Sequence, residues 1–391
     1  MPQQRLFKSV PARIARQILI AALALACIPA RSDAQNKPIP EAIIRSSSSL
    51  QSSQIDEIKR FVGDAMSNDN WGSDHRIRQA RNAVMEPLAD AQVSAPFRLE
   101  YSKQLEPHLE RLAGGAAPRN ELAVVNALLI AGDIATDASV AIAEKRLSDE
   151  SVAVRYAAVK ALTLTLESLA RHTPAIMPER AARIVRTLGK QLATDPDSRV
   201  ADAAVRGLIA GMNVTRQGFG EVRTQSVSEL AVRLGARLKS QDGKPIDDML
   251  VESSVQAATA VRDALANPGA AGTLPSAVQK EAAGLAGDMV AYVARIVRKG
   301  EDLPQVAPTD TPDEAAVKTQ ARVGSRQMVA VSETVITLAG GAKTSPLNDL
   351  LKSASPQDDA RFLDSTTLVI GPAGSLQKPP FGFADDRFQS K

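Results

Sequence analysis

Side chains that could catalyse a reaction or bind a metal are few in this sequence of 391 residues. The three histidines, His75, His108 and His172, are far apart in the chain and have charged or helix-edge neighbours. Cys27 lies in an N-terminal apolar run. It is the single cysteine of the sequence, so it has no second thiol to pair with. Metal sites in proteins need clustered histidine, cysteine or carboxylate ligands. We therefore expect no metal, no disulfide and no other cofactor.

Sequence motifs of common enzyme classes are also missing. No Gly-x-Ser-x-Gly stretch is present to hold a nucleophilic serine on a sharp turn. Two glycine-bearing stretches, "GGAKTS" from Gly340 and "GPAGSLQK" from Gly371, lack the spacing of a phosphate-binding loop. The first of them follows a helical pattern and is interpreted as a helix end and turn. Carboxylate pairs such as Asp247 and Asp248, or Asp358 and Asp359, have turn-like surroundings and are expected in solvated loops. The sequence therefore predicts a protein that is not an enzyme.

The elements available to position a site are mostly helices. Apolar residues make up 44% of the chain and aromatic residues only 3%, so a core would consist of small aliphatic side chains. Such a core is typical of closely packed helices, because sheets favour aromatic and β-branched residues. Helical periodicity dominates from Ile55 onward. The best candidate for a strand is "STTLVIG", which ends at Gly371.

One alanine-rich apolar stripe occurs several times at helical spacing. In "SDESVAVRYAAVKALTLTLESLA" the stripe consists of Val154, Ala157, Ala158, Ala161 and Leu162. It returns downstream as Val200, Ala203, Ala204, Gly207 and Leu208. A weaker copy upstream consists of Ala123, Val124, Ala127 and Leu128. These copies are 34 and 46 residues apart, a period typical of helical repeat proteins.

Two of the copies resemble HEAT or HEAT-like repeats: "LSDESVAVRYAAVKAL" and "LATDPDSRVADAAVRGL", within residues 147–211. In that family an acidic turn that tolerates proline leads into a second helix with a Val-Arg pair, an Ala pair and a closing Ala-Leu. Val154 and Arg155 match the Val-Arg pair in the first copy, whereas Ala201 replaces the arginine in the second. A partner helix precedes each copy. The resemblance implies an α-solenoid, in which small residues such as Gly207 permit close helix packing, and it implies no particular function.

The predicted fold is therefore all-α, an α-solenoid of irregular HEAT-like helix pairs with a flexible C-terminal tail. A polar linker is expected at 35–54 and a repeat domain at 55–299, with a HEAT-like core at 118–266. The remainder is predicted to be a Pro/Asp-rich linker at 300–313, C-terminal helices at 314–352 and a mostly flexible tail at 353–391. A short docked segment within the tail is the alternative. "EAAVKTQARVGSRQMVAVSETVITLAG" is interpreted as a single helix.

The N-terminus has the pattern of a secretory signal peptide over residues 1–34. A basic segment precedes an apolar run, Ile18 to Ala30, which is too short to span a bilayer comfortably. Small residues at Ser32 and Ala34 predict cleavage before Gln35, with cleavage after Ala30 as the alternative. An uncleaved anchor, a buried helix or a lipid on Cys27 are further alternatives, although the residues before Cys27 make a poor lipidation motif. We expect a periplasmic or secreted protein without a membrane span after processing.

A polar column is predicted on the second helices of the repeats. Lys160 lies about 130° from the centre of its apolar stripe, and Arg206 and Asn126 occupy the same place in the neighbouring copies. These three residues are the candidate binding surface for a protein or peptide partner, the alternative being an ordinary solvated face. Without residues 1–34, basic and acidic residues nearly balance, so no nucleic acid is expected as a partner.

The function that this pattern favours is an exported, non-catalytic interaction scaffold. Two alternatives stay open. One is an enzyme or enzyme accessory, because some HEAT-like proteins resemble bilin lyases. The other is a structural protein of the cell envelope without a specific ligand.

Overall fold

The computed structural model describes residues 38–114, 120–268, 272–300, 303, 305–343 and 346–389. These residues contain fifteen α-helices and no β-strand, so the predicted all-α fold is confirmed. The described chain from Ile39 onward forms one compact unit. The predicted signal peptide, including Cys27, lies outside the described residues.

The helices follow one another along the chain, most of them joined by short connections. In chain order they are α1 (Glu41–Ile44), α2 (Ser52–Ala65), α3 (Asp74–Met85), α4 (Ala95–Gly114), α5 (Glu121–Ile134), α6 (Asp137–Glu144), α7 (Val152–Arg171), α8 (Pro178–Thr194), α9 (Ser198–Met212), α10 (Gly220–Ser240), α11 (Asp248–Ala266), α12 (Ser276–Lys299), α13 (Pro312–Ala321), α14 (Val323–Leu338) and α15 (Pro356–Ile370). None of them combines the length and apolarity that a bilayer-spanning helix needs, as far as the described residues go.

Helices two positions apart in the chain pack side by side. One layer, here called layer A, consists of α3, α5, α7, α9 and α11 in consecutive contact. On the other side, α8, α10, α12 and α15 pack in the same manner, and we call this row layer B. From α7 to α12, each helix also contacts its chain neighbours in the other layer, as α9 does with α8 and α10. Packing that depends on neighbours along the chain gives the α-solenoid-like architecture that the repeats predicted.

The predicted turns begin helices in the expected way. The Ser151 hydroxyl accepts a hydrogen bond from the backbone N–H of Val154 at 3.4 Å, and thereby caps α7. The Asp197 carboxylate accepts from the backbone N–H of Arg199 at 2.9 Å and caps α9. Such side chains satisfy backbone donors that have no partner within the first turn of a helix.

The alanine stripes form the seams between helices of layer A. All five stripe residues of α7 are at most 1% exposed. At Gly207, an added Cβ would lie 2.7 Å from the Thr163 hydroxyl of α7, so this glycine permits the predicted close approach. The backbones of α5 and α7 also approach closely, because a Cβ on Gly132 would lie 2.6 Å from the Cα of Ala161. Small side chains are therefore required by the spacing of the helices.

An arginine links the two units that carry the matching stripes of α7 and α9. The Nε of Arg155 donates to Asp195 at 2.8 Å, and a second guanidinium nitrogen donates to the other oxygen of the same carboxylate at 3.2 Å. In the second unit, Ala201 occupies the equivalent position and is buried. Arg237 of α10 reaches this turn instead, and donates to the carbonyl oxygens of Leu192 and Asp195. The departure from the repeat pattern at Ala201 is thus accompanied by a buried guanidinium from the next helix pair.

The expectation of a mostly flexible tail at 353–391 is wrong for its described part. Residues Pro356–Ile370 form α15, which begins where Ser355 accepts from the backbone N–H of Asp358 at 3.1 Å. Beyond it, Phe381 and Phe388 are 3% and 5% exposed. A Cβ on Gly287 of α12 would lie 2.5 Å from the ring of Phe388, so that glycine makes room for the tail.

Three smaller predictions also need correction. "STTLVIG" is helical because its apolar residues continue a helical spacing from Phe362 through Thr366 to Val369, all buried. The predicted single helix that includes residues 314–338 is two helices, α13 and α14, separated at Arg322. The polar linker at 35–54 contains the short helix α1, in which Ile43 is buried.

Candidate functional site

Two of the three predicted binding residues lie on the solvent side of layer A. The side chain of Lys160 on α7 is 37% exposed, and its Nζ lies 3.6 Å from Glu167 Oε1. The side chain of Arg206 on α9 is 58% exposed, and its Nε donates to Asp202 at 2.9 Å. Each basic group therefore has an acidic partner on its own helix, and the face carries balanced rather than positive charge.

The third predicted residue, Asn126, does not belong to this surface. It is 4% exposed, and its side-chain amide donates to the carbonyl oxygen of Leu122 one turn earlier, at 2.7 Å. The helix that carries it, α5, packs between α3 and α7. These neighbours cover positions that would face water on an isolated helix. The prediction of a three-residue column is therefore wrong at Asn126.

The sequence analysis missed a carboxylate beside Lys160. Asp133 on α5 is partly buried and interacts electrostatically with Arg81 of α3 and with Lys160 and Arg171 of α7. Together with Glu167, these residues form what we call the charged cluster: Arg81, Asp133, Lys160, Glu167 and Arg171. Burial raises the pKa of Asp133 to about 6, against the opposing effect of the nearby cations. The ionised form of Asp133 is therefore costly at neutral pH.

Local sequence explains how Asp133 comes to face α7. It follows Gly132, whose lack of a side chain lets the α5 backbone lie close to Ala161 of α7. Asp133 is also the only charged residue between Leu122 and Ala135, a run in which nearly every position packs against a neighbour. A lone carboxylate in an apolar helix was the available signal, since such a residue is rarely buried without a reason.

Apolar side chains adjoin the charged cluster on the same side of layer A. Tyr156, one turn before Lys160, is 42% exposed. Partly exposed aliphatic residues from three helices share its side: Leu122, Val125, Leu129, Leu164 and Ile209. We call these residues, with the charged cluster and Arg206, the layer A face. Apolar contacts bordered by charged groups are the usual composition of a surface that binds another protein.

A cleft lies at the edge of the solenoid, between the turn that precedes α7 and the turn that precedes α9. Its volume is about 710 Å³, and its walls include Glu144, Arg155, Lys190 and Asp195. Arg155 is already bound to Asp195, and Arg180 binds the Glu144 carboxylate at 2.9 and 3.1 Å. Most charged groups of this cleft are therefore engaged in joining successive helix pairs, which makes it a weaker candidate than the layer A face.

The histidines do not converge on a site. Burial lowers the pKa of both His108 and His172, so both are neutral at physiological pH. No group of three or more His, Cys, Asp or Glu side chains within the described ranges is placed to hold a metal ion.

Comparison with known proteins gives no family for this chain: no protein-family model matches it, and no curated protein matches it significantly.

The raised pKa of Asp133 gives a testable pH dependence. Between about pH 4 and pH 6 the folded protein holds a proton on Asp133 that the unfolded chain releases, so this residue costs stability as the pH rises through that window. We expect Asp133→Asn to increase the free energy of unfolding by about 1–2 kcal/mol at about pH 7.5, and by much less near pH 4. Urea unfolding followed by circular dichroism measures this.

The matched control is Asp56→Asn, which alters an exposed carboxylate on α2. It should change stability little at either pH. An equal gain from Asp133→Asn at both pH values would contradict the proposed burial of the charge.

Proposed function

We propose that this protein is an exported, non-catalytic scaffold that binds a protein or peptide partner through the layer A face. One observation supports this most: three successive helices, α5, α7 and α9, place partly exposed apolar side chains around the charged cluster. Solenoids present such surfaces on packed helices. The binding residues are therefore preorganised, which lowers the entropy cost of binding a partner.

The charges on this face suggest the character of the partner. Acidic and basic groups alternate along α7, where Lys160 and Arg171 flank Glu167. A partner of mixed charge could replace these exposed pairs at little cost, because ion pairs on a surface contribute little stability. Its apolar residues would then cover Tyr156 and Leu164. An amphipathic helix or short segment with both features fits this description.

Site-specific photocrosslinking tests the surface directly. A photoreactive amino acid at Leu164 should give a discrete adduct in the cells that make the protein, and mass spectrometry would identify it. The matched control is the same amino acid at Arg183, an exposed position on α8 in layer B. Adducts of equal yield at both positions, or at neither, would contradict binding through the layer A face.

Charge reversal should weaken this binding without unfolding the protein. When the crosslinking is repeated in lysates of these cells, we expect Lys160→Glu combined with Arg206→Glu to reduce the adduct yield at Leu164 by about tenfold at low ionic strength. The reduction should be smaller at high salt, because screening weakens exposed charges. The control is Arg183→Glu with Arg186→Glu on the opposite layer, both exposed. Circular dichroism verifies that both double variants remain folded. If both double variants reduced the adduct yield equally, the reduction would come from the change in net charge, and binding through Lys160 and Arg206 would be contradicted.

A further inference from the structure

A second cleft lies between α12, α15 and the chain that follows α15. Its volume is about 330 Å³, within the range of small-molecule sites. The apolar part of its wall includes Ala291 and Ala294 from α12, Ile370 from α15, Pro372 after it, and Phe388. These side chains are fixed by the packing of α12 against α15 and by the docked tail.

The charges at this cleft are all of one sign. Among the described residues that line it, Arg295 and Arg298 are the only charged ones, and none of these lining residues is a carboxylate. The Arg295 guanidinium is engaged, since it donates to the carbonyl oxygen of Leu238 at 3.0 Å and lies 3.8 Å from Asp242. Arg298 follows one turn later on α12 and is exposed. The described residues offer it no hydrogen bond or ion pair, so its guanidinium is available to an anion.

We propose that this cleft binds a small amphipathic carboxylate, with an aliphatic or aryl body of medium length. The body would lie against Ala291, Ala294 and Phe388, and the carboxylate would accept from Arg298. A guanidinium holds a carboxylate well because two of its N–H groups can donate in parallel. This site is on the opposite layer from the charged cluster and does not depend on the proposed scaffold function.

A bound ligand would also hold the C-terminal segment in place. Phe388 and Gln389 line the cleft. The guanidinium of the preceding residue, Arg387, donates to Asp288 of α12 at 3.1 Å. The guanidinium of Arg387 lies 4.6 Å from the ring centre of Phe383 and 5.4 Å from that of Phe388. A ligand against Phe388 would thus add a contact that exists only while this segment is docked, and binding would stabilise the docked state.

Calorimetry with octanoate and octylamine, below their micelle concentrations, tests the proposal on the full chain. The two probes share chain length and differ in the sign of the charge. We expect octanoate to bind and octylamine not to bind, and Arg298→Glu to weaken octanoate binding by about tenfold or more. Lys299→Glu is the matched control, because it makes the same charge change one residue away and does not line this cleft. It should change the affinity by no more than about twofold.

A filling variant and hydrogen exchange complete the test. Thr367→Trp introduces a large ring at an exposed position on the rim of the cleft and should abolish octanoate binding while the circular dichroism spectrum is unchanged. Octanoate should also slow amide exchange in residues 376–389. Equal binding of both probes, or full octanoate affinity in both Arg298→Glu and Thr367→Trp, would overturn the proposal. A peptide with a free C-terminal carboxylate that binds where octanoate does not would overturn it as well.

Discussion

Replacement of Ala158 by aspartate should lower the free energy of unfolding by about 3–5 kcal/mol. Ala158 is fully buried on α7, in the seam of layer A. The stripe that contains it consists of small or aliphatic buried side chains, so a carboxylate at this position would be buried among apolar groups. Ala204 is fully buried at the equivalent position on α9, and Ala204→Asp should have a similar effect.

Lys160→Asp is the control for this prediction. It introduces the same side chain two residues along α7, on the exposed side, where it loses a surface pair with Glu167 and a weak electrostatic interaction with Asp133. Its cost should be below about 1 kcal/mol. Urea unfolding monitored by circular dichroism would give all three values. If Lys160→Asp proved as damaging as Ala158→Asp, the assignment of the buried side of α7 would be wrong.

The repeat region could be predicted because its packing is encoded locally. Alanines at helical spacing identify the buried side of α7 and α9, and Ser151 and Asp197 mark where the two helices begin. Neighbouring repeats contact one another in chain order, so a pattern found along the sequence translates into contacts in space. For this reason the fold class and the buried stripes follow from the sequence.

The tail could not be predicted in the same way because its contacts are distant in sequence. Arg387 binds Asp288, 99 residues earlier. The groove that receives it depends on Gly284 and Gly287, where an added Cβ would lie 2.7 Å from the Arg387 guanidinium and 2.5 Å from the Phe388 ring. Two glycines in an alanine-rich helix do not indicate which segment will cover them.

The candidate site was predicted only in part, since angles around one helix do not reveal what its neighbours cover. Lys160 and Arg206 are exposed as expected, but both flanks of α5 are packed and Asn126 is buried. Asp133 escaped notice because its importance comes from cations on other helices, Arg81 and Arg171.

Buried arginines show a second long-range feature that sequence patterns do not reveal. Several of them donate to carbonyl oxygens at the C-terminal ends of neighbouring helices. Arg223 donates to Ala264 at the end of α11, at 2.8 Å, and Arg295 to Leu238 near the end of α10, at 3.0 Å. The last carbonyls of a helix lack hydrogen-bond partners within the helix and carry partial negative charge. A guanidinium supplies both the hydrogen-bond donors and the opposite charge. These arginines therefore support the packing of neighbouring helices.

Loss of the buried ion pair between α15 and the chain before α14 should have an effect as large as the change at Ala158. Arg322 donates to both oxygens of Asp359, at 2.6 and 2.8 Å, and the two residues are 1% and 5% exposed. The side-chain amide of Gln305 donates to the same carboxylate at 3.0 Å. We expect Arg322→Met to cost about 3–5 kcal/mol, because it leaves the Asp359 charge buried without its cation.

The double variant Arg322→Met with Asp359→Leu should recover most of this loss, because an apolar pair carries no uncompensated charge. The control on the same helix is Arg361→Met, which breaks an exposed pair with Asp358 at 3.1 Å and should cost less than about 1 kcal/mol. Urea unfolding gives the energies, and limited proteolysis reports whether α15 detaches. If Arg322→Met cost no more than Arg361→Met, α15 would contribute little to the folded core, and residues from 353 onward would behave as the flexible tail that their composition first suggested.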